Sequence, residues 1–389
     1  MPGSCTDDRR TVLPRLSARE IALGCPVGSV PLLLARAARV DPDPVRALRD
    51  AVRPALLRPP CVVAFSGGRD SSLLLAVAAD LAAREGLPAP IAVTFRYPGD
   101  PAADETSWQE KLLAHLGSRI EWIRRDINGE LDVLGPLTAP VLRAHGAPVY
   151  PAALGNTVLL ARYARGGSLV TGNGGDEVLG GHRAAVLRAV VRRRGRGLTG
   201  ADWRLAATCA APASVRRHRA RRVLGDAPWL RPAVRRELGV DGAARPLRFD
   251  RSVWSALAPR AVVVGRRTRA AVAREYDCAL VEPLGAAGFV ASYAAFGGPW
   301  GGLTRAEGTR LLAGELLPAE VVSRRDKAYF NASRFGAVSR AFAREWDGGG
   351  VDAGLVDPDA LRAAWLADVP PASTALLLQQ AWLASTEER

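Results

Sequence analysis

The stretch CVVAFSGGRDSS, residues 61–72, constrains this chain more than any other. A short apolar run reads as a buried strand, and the LLLAVAADLAA that follows has helical periodicity, so the glycines fall where a strand becomes a helix. Such a junction binds anions. Glycine lets the backbone approach closely with its N–H groups aimed outward, the helix N-terminus adds partial positive charge, and Ser66, Ser71 and Ser72 supply hydroxyl donors. Bare phosphate would repel Asp70, which makes sense beside Mg²⁺ bridging to phosphates. The pattern GxxxxGK[ST] is absent, so the turn is not a Walker A loop.

The segment 61–182 alternates strand and helix: CVVAF, a helix through Ala83, IAVTF, a helix over 104–116, RIEWI, helices to about 165, then SLVTG. This order predicts an α/β fold, a Rossmann-like parallel sheet covered by helices, with helical additions in the C-terminal half. Four regions are expected: a helical lead-in over 1–57, a core over 58–182, an Arg-rich helical region over 183–275 and a C-terminal helical part over 276–389. SLVTGNGGDEVLGGH, residues 168–182, repeats the first design with the acidic pair Asp176-Glu177. Two such turns on one parallel sheet bring Asp70 and Asp176 to one crevice, beyond the carboxyl ends of the strands. Paired carboxylates there point to a shared Mg²⁺.

Of 53 basic residues, 51 are arginines; the lysines are Lys111 and Lys327. From Arg183 to Arg269, 22 arginines face five acidic residues, a local balance of +17 against +14 for the whole chain. That lobe suits an acidic peptide, an acidic partner protein, nucleotides or nucleic acid, or is simply a solvated helical surface. The five cysteines lack CxxC spacing, which indicates neither a disulfide framework nor a zinc site. No long apolar run and no hydrophobic N-terminal signal are present, so the expectation is a soluble, cytoplasmic protein with no membrane partner.

SGGRDSS resembles the pyrophosphate loop of enzymes that split ATP between its α- and β-phosphates. Together with TGNGGDEVLGG about a hundred residues later, it resembles the synthetase domain of the asparagine synthetase family, which includes β-lactam synthetases and lasso-peptide macrolactam cyclases. Asp104-Glu105 is similar to the family's DE ahead of a helix, GELLPAEVVSRRDKAYF at 314–330 to its LLPxEVxxRxKxGF, and VEPL at 281–284 to its VPFL. The resemblance implies a pyrophosphate-loop ATPase fold with ATP and Mg²⁺ as cofactors. It assigns ATP binding to Ser66, Gly67, Gly68, Asp70, Ser71, Ser72, Thr94 and Gly172, metal binding to Asp70 and Asp176, and catalytic positions to Lys327 and Asn173.

The implied chemistry has two steps. A carboxylate attacks the α-phosphate to give an acyl-adenylate and pyrophosphate, and an amine then attacks the activated carbonyl to give an amide. Pro2 and the short N-terminal segment lead to the expectation that this chain does not hydrolyse glutamine. Asn173 stands where asparagine synthetases have Glu and β-lactam synthetases Tyr, and an amide is no general base at neutral pH. The leading expectation is therefore an amide ligase like the lasso cyclases, acting on a peptide or small-molecule carboxylate and relying on proximity. Ammonia-dependent asparagine synthesis, tRNA modification and a non-catalytic scaffold stay open.

Overall fold

The computed structural model describes residues 13–31, 40–98, 100–117, 120–194, 196–223, 227–237, 245–324 and 334–387. Five parallel strands form one sheet: β1 (Cys61–Ala64), β2 (Ile91–Arg96), β3 (Glu121–Asp126), β4 (Ser168–Val170) and β5 (Ala279–Val281), in the order β3-β2-β1-β4-β5. Val62 aligns with Ile91 on one side, and Cys61 with Ser168 on the other. The chain leaves β1 toward β2 and later returns to β1's other edge as β4, so the strand order reverses between β1 and β4. That reversal opens a crevice at the carboxyl ends of those two strands, and both glycine-rich turns begin there.

The alternation of side chains along β1 divides the core. Cys61 and Val63 join a cluster with Ala92, Val170 and the buried face of the helix Arg69–Glu85, whereas Val62 packs with Val93, Leu169, Leu160 and Ala273 on the opposite face. Both faces are thus sealed by helices, as the apolar strand runs require. β3 lies at an edge and reads differently, with exposed charges; Arg124 stacks over Trp122 at 4.6 Å.

Two features extend the sequence expectation. The helix Pro44–Leu56 buries Leu48, Val52, Ala55 and Leu56 in the same cluster as the Arg69–Glu85 helix, so this N-terminal segment contributes to the main core. The segment after 276 supplies β5, which pairs with β4 through Ser168 and Ala279. At three residues β5 is too short for a period-2 signal. A further apolar core joins the helix Ala18–Leu23 to C-terminal helices, with Trp346 and Trp365 4.6 Å apart. Among the described residues no helix is long and apolar enough to cross a membrane.

His182 ends the second glycine-rich segment and locks it to the helix Phe249–Ser255. Its Nε2 lies 2.7 Å from the Val178 carbonyl and so carries the proton; Nδ1, 2.9 Å from Ser252 Oγ, then accepts the hydroxyl hydrogen. Burial depresses its pKa from 6.5 to about 4. The unfolded imidazole takes a proton near pH 6.5, whereas the native one resists until about 4, so stability is complete above this window and falls as the pH drops through it. The loss should reach about 3 kcal/mol. Urea titrations from pH 7 to 4 should give a steeper loss for wild type than for His182→Gln; equal slopes would contradict this assignment.

Candidate active site

The first turn is built around Gly67 and the two serines. Gly67 has φ +83°, and a Cβ there would sit 3.0 Å from Gln109 Cγ and 3.1 Å from Glu105 Cβ, so the position demands glycine. Ser71 Oγ donates to the Gly68 carbonyl at 3.0 Å and lies 3.1 Å from Ser66 Oγ, which preshapes the loop. Gln109 Nε2 holds the Ser66 carbonyl at 3.1 Å. Arg324 donates to the Gly67 carbonyl at 3.2 Å and, through both terminal nitrogens, to the buried Glu105 carboxylate, while stacking 4.8 Å from the Trp108 ring. The acid of the Asp104-Glu105 motif therefore works by fixing an arginine that pins the loop.

The second turn approaches so closely that side chains are excluded. A Cβ on Gly172 would lie 3.2 Å from Asp70 Cβ, and one on Gly175 would lie 2.3 Å from Asp70 Oδ2. Asp70 and Asp176 thereby share the crevice, as expected, and Arg305 joins them: it donates to Asp70 Oδ2 at 2.6 Å and to Asp176 Oδ1. Burial pushes the Asp70 carboxyl above the usual range, opposed by the Arg305 charge. Asp70 Oδ1 is buried and unpaired.

These acids fit a hard divalent cation. They are oxygen donors that meet on one guanidinium, and one of their oxygens, Asp70 Oδ1, is unsatisfied. Among the described residues no group of three or more His, Cys, Asp or Glu side chains could hold a metal. Mg²⁺ is commonly bound through one or two carboxylates plus phosphate oxygens.

The two turns line a cavity of about 560 Å³ that contains Ser66, Gly68, Asp70, Ser71, Gly172 and Asn173, and five arginines: Arg69, Arg269, Arg305, Arg324 and Arg334. Beside it lies a smaller apolar recess with Val93, Phe95, Tyr97 and Leu160 on its walls. Two residues named from sequence, Ser72 and Thr94, sit elsewhere. Ser72 is fully buried. Thr94 is committed to the sheet, donating to the Phe65 carbonyl at 2.7 Å and accepting from Trp122 Nε1 at 3.0 Å. Lys327 lies outside the described residues. Gly67 acts through its backbone, as above.

A second cavity of about 550 Å³ adjoins the first and shares Pro151, Gly172, Asn173 and Arg269 with it. Tyr150, Trp254, Leu257, Val262 and Val263 give it an apolar wall. Asn173 stands at the junction, and its Nδ2 donates to Thr171 Oγ1 at 2.8 Å and to Glu282 Oε1 at 3.1 Å. Both amide hydrogens are engaged, which leaves Oδ1 as the acceptor for a ligand. Glu282 also accepts from Arg269 Nε at 2.9 Å. Sequence reasoning missed Glu282, Arg305 and Arg324 as site residues; the available signals were the VEPL segment for Glu282 and the motif at 314–330 for Arg324.

The Glu105–Arg324 pair is testable directly, because both side chains are almost wholly buried, at 6% and 4% exposure. Glu105→Ala would remove the carboxylate from a buried guanidinium and should cost about 3–5 kcal/mol. Urea denaturation measures this, and a loss below about 1 kcal/mol would mean the pair behaves as a surface contact.

Comparison with known proteins agrees with this geometry. The family model Asparagine synthase matches residues 45–267, more than half of the chain, and spans both glycine-rich turns. A search of curated proteins finds no match. A parallel sheet with both turns at its reversal point, read together with that match, gives one conclusion: the chain belongs to the asparagine synthase family.

Proposed function

We propose that this protein is an AMP-forming ligase that joins a carboxylate, carried on a peptide or another apolar molecule, to an amine. The observation that carries the reading is the junction of two cavities at Gly172 and Asn173, one rich in arginine and serine, the other walled by apolar side chains. In this reading ATP puts its base into the apolar recess beside Phe95 and its phosphates against Ser66, Gly68, Ser71 and the arginines. Asp70 and Asp176 would hold Mg²⁺, whose chemistry is to neutralise charge on the phosphate oxygens.

The acid enters from the second cavity. One carboxylate oxygen bonds to the α-phosphorus as the bond to the bridging oxygen breaks, and pyrophosphate leaves. The amine nitrogen then bonds to the acyl carbon, AMP leaves, and the ammonium proton passes to solvent or phosphate. In this reading Asn173 Oδ1 accepts from the incoming amine. Glu282 is a positioning residue here: its Oε1 already accepts from Arg269 and Asn173, so its role is to orient the amide. Held close to the adenylate, an amine needs little further catalysis.

The apolar wall of Trp254, Leu257, Val262 and Val263 favours a substrate with a bulkier, more apolar body than aspartate. This supports a macrolactam-cyclase-like activity over asparagine synthesis. Lys327, matched by motif to the family's phosphate-facing lysine, is proposed to meet charge on the departing pyrophosphate.

Two measurements test the reading. Asp70→Asn should lower Mg-ATP affinity about tenfold by calorimetry with an unchanged circular dichroism spectrum; equal affinity would contradict it. In ATP–pyrophosphate exchange with a panel of peptide and small-molecule acids, Lys327→Ala should slow exchange about 100-fold with little change in ATP affinity. Exchange supported by aspartate, with ammonia giving asparagine, would instead favour asparagine synthesis.

A further inference from the structure

Arg305 is the first residue of the helix Arg305–Ala313, where a positive charge is disfavoured by the helix dipole. Its side chain is one-quarter exposed and nonetheless reaches across to carboxylates on two different turns, Asp70 after β1 and Asp176 after β4. The bridge is incomplete on both sides. Arg305 Nε is buried with no acceptor, and Asp70 Oδ1 is buried with no donor. The guanidinium therefore neutralises the acid pair without satisfying either partner fully.

We propose that Arg305 is an internal placeholder cation, which keeps free divalent metal out of the Asp70–Asp176 site and gives way only when polyphosphate arrives with the metal. The exchange balances in charge and in hydrogen bonds. A metal takes the carboxylates and gives Asp70 Oδ1 a partner. The displaced guanidinium, which already lines the same cavity, takes phosphate oxygens in place of carboxylate oxygens. Bare metal must break two charge-assisted bonds and leave a cation beside itself, with no phosphate oxygens brought along to receive the guanidinium. Metal loading is thereby made conditional on nucleotide. The inference rests on the phosphate-binding reading of the cavity for its second half; the exclusion of free metal stands independently of it.

Mn²⁺ serves as the probe, titrated without nucleotide and followed by the loss of its free electron paramagnetic resonance signal. Arg305→Gln should bind Mn²⁺ at least about tenfold more tightly than wild type, although the substitution removes no metal-repelling bulk elsewhere. Adding Asp70→Asn to that variant should abolish the gain. No gain, or a gain that survives Asp70→Asn, overturns the proposal. Thermal melting covers the case in which the variant folds poorly: Mg²⁺ alone should leave the wild-type midpoint unchanged, whereas Mg²⁺ with α,β-methylene-ATP should raise it. A wild-type shift with Mg²⁺ alone overturns the proposal. Failure of the nucleotide to bind, with the Mn²⁺ gain intact, would instead defeat the ligase reading.

Discussion

The contact between Asp70 and the second glycine-rich turn is the constraint on which the site depends. Gly175 brings backbone against this one side chain with no room for a Cβ, a Cβ on Gly172 would be a tight 3.2 Å from Asp70 Cβ, and one on Gly174 would lie 2.8 Å from Gly285 N. A single parallel sheet makes this closeness achievable, because β1 and β4 are neighbours and both turns leave in the same direction. Once they are packed, Asp70 and Asp176 share one cation, Asn173 sits between two cavities, and the segment after β5 brings Glu282 up behind it.

Arginine does much of the structural work that the +17 balance conceals. Arg183 binds the Cys209 carbonyl, Arg245 the carbonyls of Gly180 and Glu177, and Arg260 the buried Glu20. Arg192, Arg231 and Arg248 pair with Glu307, Asp357 and Asp250. A multidentate planar donor suits these carbonyl and carboxylate contacts better than an ammonium. Part of the basic region therefore also serves as scaffolding, tying these segments to carbonyls and carboxylates of the same chain. The same property makes the cavity arginines effective toward phosphate.

The parts of this molecule that are legible in sequence are those with local causes. Two glycine-rich strand–helix junctions announce themselves by glycine, hydroxyl and acid at fixed spacing, and the apolar runs of β1 and β2 carry their own signal. β5 does not, since its pairing with β4 compensates for a span too short to have periodicity. Arg305 and Arg269 were hidden for a different reason: among 51 arginines neither stands out, and only tertiary packing selects those that face the cavity, whereas Arg324 falls in the motif at 314–330. Thr94 shows the converse, a polar residue at the right end of the right strand whose hydroxyl is consumed by Phe65 and Trp122.

The central claim is that ATP is held for attack at its α-phosphorus from the cavity walled by Trp254 and Leu257. A crystal structure with Mg²⁺ and α,β-methylene-ATP tests this without knowledge of the acid. The account predicts the base in the recess beside Phe95, the β- and γ-phosphates against Ser71 and the cavity arginines, and the α-phosphorus nearest Asn173 at the junction of the two cavities. A nucleotide bound in the opposite sense, with its γ-phosphate at Asn173, would contradict it.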